Sequence, residues 1–189
     1  MWLLAGLGNP GSEYARNRHN IGFMVLEELA RRTSAPGFRE KFGGALSQAA
    51  ISDDKVVLLK PMEYMNLSGR AVARTTSFFQ VDAAHLVVVH DDIDLEMGRL
   101  RLKLGGGHAG HNGVRSIIAD LGTPDFIRVR CGVGRPGARM DVANYVLADF
   151  QKGEGEEAAI LVNEAADAVE EIVKSGPTAA MNRYNKRIS

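Results

Sequence analysis

Residues 2–22 read WLLAGLGNPGSEYARNRHNIG, and the parsing of this stretch decides the fold. Trp2 to Gly6 is an apolar run with the composition of a buried strand. Gly6, Gly8 and Gly11 then satisfy G-x-G-x-x-G, the spacing of a dinucleotide-binding turn. That reading requires a helix opening at the third glycine and an acidic residue about 20 positions on, at the end of a second strand. Neither is present. Pro10 and Gly11 fit the middle of a type II turn. Ile21, Met24, Val25 and Leu29 recur at helical spacing within residues 20–32, where a strand would be needed, and Asn20 is placed to cap that helix. The three glycines are therefore expected to form a tight turn that presents Asn9 beside His19, with no nicotinamide or flavin cofactor.

Working outward, residues 45–51 and 55–59 read as two strands joined by a hairpin turn at Asp53-Asp54. Residues 67–79 read as a second helix. Leu86 to Val89 is a continuous apolar run ending in charged residues, the mark of a central strand. Leu100, Leu102 and Leu104 alternate with Arg99, Arg101 and Lys103, a half-buried strand. A glycine-rich loop over 105–113 precedes a short helix over 114–121, and residues 126–133 form another strand. Residues 141–150 read as a short helix, and 156–174 as an amphipathic one with Ala158, Leu161, Ala165, Ala168 and Ile172 on one stripe. One more helix is expected after Pro177. Strands interleaved with helices imply a single α/β domain over residues 1–189, with a twisted mixed β-sheet flanked by helices.

Composition narrows the function classes. With 45% hydrophobic and 24% charged residues the chain is ordinary for a globular domain. The lone Cys131 forbids an intramolecular disulfide and fits a reducing, cytoplasmic setting. No apolar run is long enough to span a membrane, and the N-terminus reads as a first strand, not a signal peptide. The net charge of zero conceals an asymmetry. Residues 95–140 hold eight cations, Arg139 among them, against three anions. Residues 141–174 hold nine anions against two cations. Such a division points to a polyanionic partner. Strand alternation sets Arg99, Arg101 and Lys103 on one face and opposes Arg128 and Arg130 to Ile127, Val129 and Cys131. Two basic faces beside a glycine-rich loop suit a phosphate track.

Three kinds of side chain carry chemistry. His19, between Arg18 and Asn20 at the mouth of a helix, can act as a general base near neutral pH. It would need a carboxylate to fix its tautomer, and His90-Asp91-Asp92-Ile93-Asp94 supplies candidates. The same cluster also reads as a strand-end turn, or as a metal site using His90 and aspartates with His108 and His111. Asn9, Asn20, Asn66 and Asn112 sit at element borders, where turn and cap chemistry accounts for any one of them. Their amides can also read a peptide backbone or hold an ester carbonyl.

Together these pieces resemble bacterial peptidyl-tRNA hydrolases across nearly the whole chain. The resemblance rests on Gly6 through Gly11, Tyr14, Arg18 through Gly22, Lys60-Pro61 with Tyr64 through Gly69, His90 through Asp94, Gly110 through Gly113, and the late run Asp141 through Leu147. It implies hydrolysis of the ester between a peptide and the 3′ end of tRNA. By position, it implies that His19 activates water and Asp91 orients and polarises His19. It implies that Asn9, Tyr14, Met65, Asn66 and Asn112 bind the peptide and the ester end, and that Lys103 and Arg130 grip tRNA phosphate. His111 falls in a motif with no chemical step attached. The resemblance further implies no metal or other cofactor, no obligate protein partner, a monomer, and a mobile gate near residues 135–150. Asn17, Asp92 and Ala109 stand where the family commonly has Thr, Glu and Gly. A noncatalytic RNA-binding protein on the same fold and a metal-dependent amidase are the competing readings.

Overall fold

The structure, a computed structural model, describes residues 1–138 and 140–185. Arg139 of the basic stretch and the last four positions of the 1–189 domain lie outside the described residues. A seven-stranded sheet is organised around β1 (Trp2–Gly6), every residue of which is buried. β1 pairs in parallel with β4 (Asp54–Pro61) on one side and β5 (Leu86–Asp92) on the other, and β5 pairs in parallel with β7 (Ile127–Gly132). The outer strands are antiparallel: β2 (Arg39–Lys41) on β3 (Gly44–Ile51), β3 on β4, and β6 (Leu100–Leu104) on β7. The order is β2-β3-β4-β1-β5-β7-β6. The expected mixed α/β sheet is therefore present.

Pleating divides the core in two. Leu4, Val87, Val89 and Val129 face α1 (Ile21–Arg32), α5 (Gly155–Ser175) and α6 (Pro177–Tyr184). Leu3, Ala5, Val57, Leu59 and Val88 face α2 (Ser68–Phe79) and α3 (Asn112–Leu121). The expected stripe on α5 is buried along its length. Parallel β4, β1, β5 and β7 end on the same side, where open α/β sheets place their sites. A short helix, α4 (Val142–Val146), lies at that end.

Several local expectations need correction. Gly11 takes φ 110 and ψ 147, which is not the second corner of a type II turn. Gly6 and Gly8 are not turn glycines. A Cβ on Gly6 would lie 2.2 Å from the carbonyl oxygen of Gly22, and one on Gly8 2.8 Å from the ring of Phe23. Their lack of a side chain lets α1 approach β1. Asn20 stands at the mouth of α1, but its side chain makes no capping bond. The hairpin turns at Ser52-Asp53, one residue earlier than expected, with Ser52 at φ 55. β5 continues through His90, Asp91 and Asp92, and the expected strand-end turn follows at Ile93-Asp94, where the Asp94 N–H donates to Asp92 Oδ1 at 2.8 Å. β2 is an additional strand of three exposed residues.

Candidate active site

His19 lies on a single helical turn, Arg18–Asn20, immediately before α1. Its Nδ1 is 2.9 Å from each carboxylate oxygen of Asp91, which is 2% exposed at the end of β5. An ionised carboxylate only accepts, so the Nδ1–H donates and Nε2 is left with a lone pair. A second imidazole meets the same carboxylate. His111 accepts backbone N–H bonds from Gly113 and Val114 on Nδ1, at 3.1 and 3.3 Å, and so caps α3. Its proton is thereby placed on Nε2, which donates to Asp91 Oδ1 at 2.8 Å. Burial alone would raise the Asp91 carboxyl. The electrostatic attraction and hydrogen bonds of the His19 and His111 rings overcome it and hold the group well below the usual carboxylate range.

A further layer stands behind this set. Arg128 donates from Nε to His90 Nε2 at 3.1 Å, and the His90 Nδ1–H donates to the carbonyl of Asp91 at 2.7 Å. Burial first, then the electrostatic influence of the neighbouring His111 ring and the Arg128 guanidinium, hold His90 well below its ordinary pKa and keep it neutral. Arg128 also donates to the carbonyl of Gly107 at 2.6 Å, fastening the glycine-rich loop to the sheet. Of the two arginines expected on a basic face of β7, Arg128 is only 2% exposed and is not open to a phosphate. Arg130 donates to Asp92 at 2.8 Å, so it too has an internal partner. It stands opposite Arg101, and Lys103 stands opposite Arg128. Leu104 of β6, expected on the buried face, is exposed at the sheet edge.

Asn9 is held from three directions. Its backbone N–H donates to Asn20 Oδ1 and its carbonyl accepts from Asn20 Nδ2, both at 2.9 Å. Its Oδ1 accepts the Met65 N–H at 2.7 Å, which turns Nδ2 the other way. Met65 packs where a side chain on Gly113 would collide with its sulfur, at 2.6 Å. These bonds join the loops after β1 and β4 to the turn that opens α1, and Met65 in turn packs against the start of α3.

The hydrogen-bonded set opens into a cleft of about 460 Å³. His19, Asp91 and Asn112 of the expected residues line it, together with His111, Arg128 and one side of α4. Asn9 and Met65 are buried outside the lining, Asn66 is exposed outside it, and Tyr14 is half-buried outside it. Lys103 and Arg130 share the sheet face of Arg128 but do not line the cleft. Part of the expected gate does: Arg135, Val142, Ala143 and Val146 form one wall.

Ligand atoms of His19, Asp91 and His111 lie within 4.8 Å of one another, close enough for a metal. The donor chemistry does not fit one, because His111 Nε2 carries the proton that its capping bonds place there. The expected metal set fares no better. Both nitrogens of His90 are engaged, and His108 Nδ1 accepts the Gly110 N–H at 2.9 Å. Cys131 is buried and its thiol is pushed up by burial, so it is no nucleophile.

A sequence model of the family described as peptidyl-tRNA hydrolase matches residues 3–189. The chain belongs to the peptidyl-tRNA hydrolase family. It is 49% identical over 187 residues to a peptidyl-tRNA hydrolase of Anaeromyxobacter dehalogenans, a match covering 99% of this chain and 97% of that one. It is 51% identical over 189 residues to the peptidyl-tRNA hydrolase of Sorangium cellulosum, covering 99% and 85%. Among solved structures it resembles the peptidyl-tRNA hydrolase of Acinetobacter baumannii, with a TM-score of 0.92, 38% identity, and coverage of 98% and 95%. Within this peptidyl-tRNA hydrolase fold, His111, His90 and Arg128 at the cleft, and Arg18 behind it, are the side chains to which sequence reasoning assigns no role or the wrong one. A histidine directly before a helix start, in Gly110-His111-Asn112-Gly113, was the one signal of a cap.

Proposed function

We propose that this chain hydrolyses the ester between a peptide and the 3′ end of tRNA, with His19 as general base. The supporting observation is the lone pair on His19 Nε2, turned out by the Nδ1–H bond to Asp91 beside a cleft. Water attacks the ester carbonyl while Nε2 takes its proton. Asp91 stabilises the imidazolium so formed. The tetrahedral oxyanion collapses, the ester C–O bond breaks, and the proton on Nε2 passes to the departing ribose oxygen. Free peptide acid and tRNA result. Asn112, which lines the cleft, supplies a donor to the oxyanion, and Asn9 Nδ2 and Asn66, outside the lining, meet the peptide backbone beyond it. Met65 and Tyr14 complete the peptide side. Lys103 and Arg130 meet tRNA phosphates, and Arg130 exchanges Asp92 for phosphate when it does so.

The domain of residues 1–189 acts as a cytoplasmic monomer and needs no metal in this reading. No helix among the described residues is long and apolar enough to cross a membrane. A base with an unoccupied lone pair, held by a buried carboxylate, favours an enzyme over a noncatalytic RNA-binding protein. The test is cleavage of N-acetyl-aminoacyl-tRNA, with unblocked aminoacyl-tRNA spared and no effect of EDTA. His19→Ala should lower turnover about 100- to 10,000-fold while tRNA binding is kept. Near-normal hydrolysis by that variant would refute the assignment.

A further inference from the structure

Arg18 adjoins His19 on the same helical turn, and its side chain points away from the chemistry. It is 2% exposed, a rare degree of burial for a cation. Its Nη1 donates to the carbonyls of Tyr145 and Ala148, at 3.0 and 3.3 Å, and its backbone N–H donates to Ala148 O at 3.1 Å. Its Nη2 pairs with Glu154 at 3.1 Å. The guanidinium carbon lies 4.0 Å over the ring of Tyr145, whose hydroxyl donates to Val133 O at 2.6 Å. These carbonyls lie at the last turn of α4 and just beyond it, where few helical N–H groups remain to bond them; the Tyr145 carbonyl also accepts the Ala148 N–H at 3.1 Å. The opposite side of α4 is the cleft wall.

We propose that Arg18 is a positioning residue that couples the α4 wall of the cleft to the turn carrying His19. This rests on reading the cleft as the site of ester hydrolysis. The arrangement is poorly optimised for stability alone. Both polar atoms of the buried Asn17 amide, and Arg18 Nε, have no hydrogen-bond partner. A buried cation with an unpaired nitrogen is a costly way to fill a core, and an apolar side chain would serve better if packing were the only demand. The fork of Arg18 does what an apolar residue cannot: it ties the wall and the base to one rigid group. Displacement of α4 then moves the His19 turn, and both surfaces that enclose the scissile ester change together.

The experiment combines hydrogen exchange of amides 142–148 with steady-state hydrolysis of N-acetyl-aminoacyl-tRNA. In Arg18→Ala, exchange in that segment should rise about tenfold or more, since a charged hydrogen bond to a buried carbonyl contributes at least a decade to an equilibrium. KM should rise, with a smaller fall in kcat, and Arg18→Lys should restore part of both. Tyr145→Leu removes the stacked ring while leaving Arg18 in place, and should produce the same local exchange and the same KM shift if Arg18→Ala does not fold. Unchanged exchange in 142–148, or faster exchange over the whole chain at wild-type KM, would overturn the proposal. Hydrolysis surviving in His19→Ala would overturn the reading of the site instead, and the exchange data would still decide the role of Arg18.

Discussion

His111 Nε2 donates to Asp91 Oδ1 at 2.8 Å because its other ring nitrogen is already committed to the first turn of α3. A helix cap thus decides the tautomer of the imidazole that steadies the carboxylate. His111→Ala should lower kcat by about tenfold or more, the effect of one charge-assisted hydrogen bond, and less than His19→Ala does. His111→Asn keeps a capping oxygen but is too short to reach Asp91, so it should recover stability without recovering rate. Thermal unfolding and kcat measured on both variants separate the two roles.

Acid should destabilise the protein in two windows. His90 stays neutral in the folded state, whereas in the unfolded chain it takes a proton near pH 6.5. The unfolded state therefore binds more protons below that pH, and stability falls as pH drops, by up to about 1.4 kcal/mol per unit. Asp91 has its folded carboxyl held well below its unfolded value near 3.9, so its contribution is fully present above that value and is lost as pH falls below it. Unfolding followed from pH 7.5 to 3 should show a His90→Gln variant with a shallower slope in the first window only. Parallel curves would contradict the burial argument.

Gly22 is expected to tolerate no side chain. A Cβ there would stand 2.4, 2.5 and 2.6 Å from backbone atoms of Leu7 and Val89, none of which can rotate away. Gly22→Ala should cost about 3 kcal/mol or more, the upper end of overpacking, and lower Tm by about 6–12 °C for a chain of this size. Gly153→Ala meets nothing within 4 Å and is the matched control. A Gly22→Ala protein with wild-type Tm would mean that α1 can retreat from the sheet.

Lys103 and Arg130 should separate in their effects. Lys103 makes no ion pair among the described residues, so Lys103→Ala should weaken tRNA binding, reduce the slope of log K against log salt by about 0.7–0.9, and leave Tm unchanged. Arg130→Ala should also weaken binding, but it strands the largely buried Asp92 carboxylate and should lower Tm as well. Equal Tm losses would remove the distinction.

The strongly apolar or periodic elements were legible from sequence: β1 stands where its apolar run placed it, and α1 and α5 where their helical spacing did. β2 was not, because three charged, exposed residues carry no alternation. The turn after β5 was legible, but its start was not, because composition cannot reveal that Asp91 is satisfied by two imidazoles from distant loops and stays in the strand. Alternation on β7 assigned Arg128 and Arg130 to one face correctly, but could not tell that this face is covered at Arg128 by His90 and the Gly107 loop. His19 and Asp91 were found because their chemistry is specific to residue type. His111 and Arg18 were passed over because their roles lie in backbone contacts, to which a side-chain motif gives no clue.

Adjacent residues of β5 serve opposite surfaces: Asp91 turns to the two imidazoles and Asp92 to Arg130 on the basic face. One peptide bond separates the two assignments, and the pleat alone keeps them apart. Substitutions on β5 therefore act locally, but a single inserted or deleted residue upstream in that strand would exchange the two carboxylates between surfaces. The strand's length is thus constrained separately from its composition: Leu86–Val89 must stay apolar to fill the core and must also keep their number.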